Sequence, residues 1–133
     1  MADAGLETVA SAFPVAETVD RLAAAAAAAG MTVFARVDHA AGAADAGMSL
    51  RPTELILVGN PRGGTPLMQD GQTAGIDLPL RALAWEDADG RVWVTTNDTA
   101  WIAARHGLGE ASAAAVSAVS AGLARIVREA AGG

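Results

Sequence analysis

The 133-residue chain contains no cysteine and no tyrosine, and none of its 9 basic residues is a lysine. Each absence closes off a kind of chemistry. Without cysteine there is no disulfide framework, no thiolate nucleophile and no zinc–thiolate site. Without lysine there is neither a Schiff base nor the ammonium of a Walker A loop. Without tyrosine there is no phenol acid. Aromatic residues make up only 4% of the chain, against 52% hydrophobic residues, and the excess is alanine, concentrated at 23–29 and after Glu110. Such a core gains from close approach of helices more than from bulky side chains. For catalysis there remain His39, His106, the carboxylates and a few hydroxyls.

Positive charge is also scarce: 15 acidic residues against 9 basic give a net charge of −6. That balance disfavours a nucleic-acid or anionic-membrane surface, which would cluster cations. The amino terminus carries Asp3 and Glu7 with no basic stretch, so it does not read as a secretory signal. The alanine run at 23–29 is too short to span a bilayer. The expectation is a cytoplasmic protein with no nucleic-acid or membrane partner. Length and the lack of any repeat or linker predict a single domain over residues 1–133.

Residues 6–13 alternate in part and predict a strand closed by Pro14. Residues 17–29 predict a helix, with Glu17 and Asp20 in its first turns and Gly30 as its stop. A strand follows at 31–37, then a short helix or turn at 39–47, a loop at 50–53 and a buried apolar strand at 54–58. Residues 59–66 (GNPRGGTP) are the densest turn signal in the chain. Thr65 and Pro66 have the form of an N-cap and first helical residue for a short helix over Leu67 and Met68. Gly63 or Gly64 is expected at positive φ. Segments 78–85 and 91–97 flank an acidic turn and predict a hairpin whose three-residue loop ends at Gly90. That register sets Trp85 opposite Trp93. Asp98 or Thr99 caps a helix through His106, stopped by Gly107. The last helix, 110–131, carries Val116, Val119, Leu123 and Ile126 as one apolar stripe. The fold class is α+β: a two-layer sandwich, mainly antiparallel, with helices on one face of the sheet.

The strings GNPRGGTPLM, GIDLPLRALAWEDADGRVWV and ARHGL, preceded by VDHAAGAADAGMSLRPTELILVGNP, resemble a bacterial family called domain of unknown function 302. The resemblance covers roughly residues 15–108. It implies a TATA-box-binding-protein-like fold of strand, helix, four strands and helix, and a homodimer. It implies no reaction. The chain has Thr96, Thr99 and Trp101 where the family pattern leads one to expect tyrosine, proline and often tyrosine.

Several groups are candidate sites. Gly59 and Gly64 followed by Thr65 superficially resemble a phosphate loop, but Pro66 stands where the Walker lysine would be. What survives is a weaker anion site, in which the N–H groups of Gly63 and Gly64 work beside Arg62; the structural alternative is a tight strand-to-helix connection. His39, with Asp45 near it, and His106, beside Arg105, could serve as a general base or metal ligand. Met48 or Met68 would add sulfur for a soft metal or haem iron. The structural reading of His106 is a donor to the carbonyls ending its helix, and the two histidines are expected to lie apart. Asp87 and Asp89 resemble part of a calcium loop but lack its bidentate glutamate, so ordinary turn chemistry is expected. Asp77 and Arg81 predict an ion pair or, with Asn60, a pocket lining. Pro79 suggests that their strand is an edge offered to a second subunit. The function expected is a homodimeric small-ligand-binding or accessory domain, the ligand a small or anionic molecule. The alternative is an enzyme or a redox, metal or haem module using His39 or His106.

Overall fold

Local signals and long-range packing jointly decide where each element starts. The computed structural model describes residues 5–133. Strand β1 (Leu6–Ser11) gives way at Pro14 to helix α1 (Val15–Ala28). Strand β2 (Thr32–Asp38) ends where the Asp38 carboxylate accepts the Ala41 N–H at 2.9 Å, capping helix α2 (His39–Asp45). Strand β3 (Thr53–Gly59) leads directly into helix α3 (Pro61–Asp70), and a 3₁₀ turn occupies Gln72–Asp77. Strands β4 (Leu80–Glu86) and β5 (Val92–Asn97) form the expected hairpin, with Trp85 opposite Trp93 and Gly90 at φ +79°. Helix α4 (Thr99–Arg105), capped by Asp98, and helix α5 (Glu110–Ala131) complete the chain.

The five strands lie in the order β1-β5-β4-β3-β2, and every neighbouring pair is antiparallel. The α+β sandwich expected from the sequence is therefore the observed one. Its edges are β1 and β2, whereas β4 is central. This corrects the reading of Pro79 as an edge signal: Pro79 precedes the strand and occupies no ladder position in it.

Alternation divides the sheet into two faces. Ile56, Val58, Ala82, Ala84 and Val94 point to the helices and are almost fully buried with Val19, Leu22 and Ala26 of α1 and Leu123 and Ile126 of α5. Burying each branched side chain stabilises the fold by roughly 1.5–3 kcal/mol. Alanines at the sheet centre let the helices approach closely, as composition suggested. Helix α5 is long and apolar enough by length and composition to cross a membrane. Here its Leu123, Ile126 and Val127 belong to the core, and it packs on α1 and α3. The opposite face presents Leu55, Leu57, Leu83, Trp85 and Trp93, all half-buried.

Candidate functional site

The site grows from the end of β3. The Asn60 side-chain oxygen accepts the Arg62 N–H at 3.0 Å, and Pro61 takes the first helical position, where its missing N–H costs nothing. The helix thus begins five residues earlier than the Thr65–Pro66 signal predicted, and both those residues lie inside it. Gly63 and Gly64 each donate their N–H to the Asn60 carbonyl, at 2.9 and 3.0 Å. They are therefore occupied, and the anion cradle expected with Arg62 does not form. Neither glycine has positive φ. Gly63 answers a different demand: a Cβ there would stand 3.0 Å from Val119 Cγ2 of α5, so the missing side chain lets two helices meet.

Where α3 and α5 diverge, a cleft of about 370 Å³ opens. Its apolar walls are Met31, Phe34, Met68, Leu78, Leu80 and Val119. Backbone at Gly59, Gly63, Gly64 and Gly75 forms stretches of wall with no side chain to fill the space, while Asn60 and Thr65 supply polar groups. Of the predicted residues, Asn60, Gly63, Gly64 and Thr65 come together here. Arg62 is exposed and does not line the cleft.

A second group gathers behind the 3₁₀ turn. Asp77 accepts both a pair of bonds from Arg105 Nη1, at 3.0 and 3.1 Å, and one from His106 Nε2. Thr73 Oγ1 lies 2.9 Å from His106 Nδ1. A carboxylate only accepts, so in the neutral ring Nε2 carries the hydrogen and Nδ1 accepts from the Thr73 hydroxyl. Burial pushes the Asp77 carboxyl upward, but the His106 hydrogen bond and the charges of Arg105, His106 and Arg81 together outweigh it, holding Asp77 below the ordinary range. The expected Asp77–Arg81 ion pair is not made; Arg81 donates to the Ile76 carbonyl at 3.0 Å. Nor does the His106 ring serve the last carbonyls of α4 as expected, because Asp77 and Thr73 hold both its nitrogens.

The hydroxyl–imidazole–carboxylate order is that of an activated nucleophile. Its setting is that of a tie: the His106 side chain is 6% exposed and joins α4 to the 3₁₀ turn. That turn also supplies Gly75 to the cleft wall. His39 is exposed at the start of α2, and the hydrogen bonds of His106 go to Thr73 and Asp77 rather than to it. Among the described residues, no three histidine, cysteine, aspartate or glutamate side chains are placed to hold a metal. Asp87 is a turn residue, accepting from Asp89 N, Arg91 N and Trp93 Nε1.

Sequence reasoning missed most of the apolar walls and Thr73, naming Met68 only as a sulfur donor and Arg105 only as the neighbour of His106. One usable signal existed. Val116 and Val119 extend the α5 stripe beyond what the core buries, and Val119 is left lining the cleft.

Among curated proteins, the chain is 57% identical over 130 residues to "Fluoride-specific ion channel FluC 1" of Brucella suis, covering 98% of this chain and 51% of that protein. It is equally similar to "Fluoride-specific ion channel FluC 2" of Brucella melitensis, of which it covers 48%. The chain thus spans about half the length of these relatives. Among solved structures, an uncharacterized conserved DUF302 protein from Bacillus stearothermophilus superposes with a TM-score of 0.84 at 16% identity, over 96% of this chain and 99% of that one. That likeness speaks for the fold alone. The match to the family described as "Domain of unknown function DUF302" runs over residues 7–130, wider than the motifs that first suggested it, and the chain belongs to that family.

Proposed function

We propose that this domain binds a small, largely apolar molecule in the cleft between α3, α5 and the start of β4, and that it acts as a homodimeric accessory domain in the cytoplasm. The observation that carries the ligand reading is the wall itself. Met31, Phe34, Met68, Leu78 and Val119 line an open cleft, and four glycines leave it unfilled. Apolar walls with a few convergent polar groups are what a small-molecule site requires. Asn60 and Thr65 would orient one polar end of the guest.

The relatives' name supports the word accessory. Among the described residues, no charged side chain lines the cleft, and the N–H groups of Gly63 and Gly64 are spent within α3. A bare fluoride ion finds little there to replace its water. In those longer proteins the equivalent domain would serve the channel as an attached module responding to a different molecule.

The test is a native mass spectrum of freshly purified protein, paired with Val119→Trp, which places an indole in the cleft. The expected result is a retained small molecule on the wild type and none on the variant. A wild type carrying no adduct, with amide NMR signals at Met31, Phe34 and Met68 unmoved by a panel of small apolar fragments, would sink the reading. The enzyme reading rests on the Thr73–His106–Asp77 chain. A folded His106→Gln variant that loses a measured turnover would favour it.

A further inference from the structure

The hydrogen-bond chain behind the 3₁₀ turn has two unlike ends. At the inner end Asp77, its side chain 13% exposed, accepts from His106 Nε2. That bond secures α4 to the turn and accounts for the tie. At the outer end Thr73 is exposed, and its Oγ1 stands 2.9 Å from His106 Nδ1. Water would serve an exposed hydroxyl nearly as well, so this bond adds little to stability. What it does is hold the lone pair of a neutral imidazole against a hydroxyl that solvent can reach.

Asp77 decides which nitrogen carries that lone pair. A carboxylate cannot donate, so the ring hydrogen stays on Nε2 and Nδ1 is left to accept from Thr73. Arg105 fixes the carboxylate in turn, its Nη1 lying 3.0 and 3.1 Å from the two oxygens. The hydroxyl also has an apolar neighbour. In a 3₁₀ helix side chains three residues apart stand one above the other, which sets Ile76, 69% exposed, beside Thr73.

We propose that Thr73 is an acyl acceptor, taking the acyl group of an activated carboxylic ester. Thr73 Oγ1 forms a bond to the acyl carbon as the bond from that carbon to the leaving oxygen breaks. The hydroxyl proton passes to His106 Nδ1 and from there to the departing oxygen. The products are an O-acyl threonine and an alcohol or phenol. Ile76 gives the ester an apolar footing. This supplies the enzyme reading with a bond and a substrate class, and it does not depend on the cleft, which Thr73 does not line.

The test uses p-nitrophenyl acetate on the whole chain. With no cysteine, lysine or tyrosine to compete, peptide mass mapping should find the acetyl group on Thr73. Thr8, also exposed but with the Thr95 hydroxyl as its partner instead of an imidazole, should stay unmodified. Losing the base in His106→Gln should slow acylation of Thr73 about 100-fold or more. Thr73→Ser should keep the early release of p-nitrophenolate, and Thr73→Val should lose it with an unchanged circular dichroism spectrum. A long-range proton–nitrogen NMR spectrum of the neutral ring should place its hydrogen on His106 Nε2. Four outcomes would overturn the proposal: acetyl groups only on His39 or the amino terminus, Thr8 acylated as fast as Thr73, a folded His106→Gln that reacts like the wild type, or a ring hydrogen on Nδ1. Each would leave the cleft's reading untouched.

Discussion

The His106 imidazole ties the end of α4 to the 3₁₀ turn through both its nitrogens, and nothing of similar shape replaces both bonds. Truncating it to alanine leaves Asp77 with only its arginine partner in a setting where its side chain is 13% exposed. His106→Ala should lower the unfolding free energy by about 1–3 kcal/mol in urea titrations. Acid should act on the same tie from the carboxylate side. Asp77 has a folded pKa below its unfolded one, so its stabilisation is fully present above the unfolded value near pH 4. It is lost as pH falls through the lower folded value. Asp77→Asn should flatten that part of the stability–pH curve. Gly64 makes an opposite case. It is helical, and a Cβ there would meet Leu78 Cδ1 at an ordinary 3.6 Å. Gly64→Ala should raise stability by about 0.5–1 kcal/mol. Gly63→Ala should gain less, because its Cβ must first displace Val119.

Helix α5 shows how one element's ends are secured by others. Asp70, at the end of α3, accepts from the Gly109 N–H at 2.9 Å and from the buried Ser112 hydroxyl at 2.8 Å. At the far end, Arg21 of α1 donates to the carbonyls of Ala130 and Glu129, at 2.9 and 3.0 Å. Asp70→Ala should therefore lower the Tm and increase amide exchange in the first turn of α5, with little change near Ala130. The contrast marks what a linear reading can see. The Trp85–Trp93 hairpin was legible because alternation and the glycine turn are local. The α5 stripe was legible because its period is set by the helix itself. Helix α3 was not: its glycines and prolines signal a turn, and the Asn60 cap and the contact with Val119 decide otherwise. The Asp77–His106 tie was half legible, both residues being candidates on chemical type. Their meeting depends on a 3₁₀ turn that no local pattern announced. The cleft was least legible, since a cleft exists only where elements fail to meet.

At the scale of the whole molecule, the face of the sheet away from the helices asks for cover. Leu6 and Val37, at its two edges, are 41% and 39% exposed, and the large residues between them are half-buried. Among the described residues, Arg81 is the one charge that the strands bring to this face, on a chain of net charge −6. Two copies joined there would bury little charge and keep their acidic surfaces apart, an arrangement a two-fold interface favours. Light scattering on the wild type should report twice the chain mass. Leu57→Glu, placing a carboxylate at the centre of the face, should report the single-chain mass with an unchanged circular dichroism spectrum; a monomeric wild type would remove the interface. The sheet's topology has a further consequence, in time rather than in space. Strand β1 pairs with β5 alone, Leu6 lying opposite Asn97. On the ribosome, where the chain emerges amino terminus first, β2, β3 and β4 can pair while β1 still waits for its mate to be translated. The first strand made is the last to be stitched in, and until then its edge is open to whatever else the cell offers.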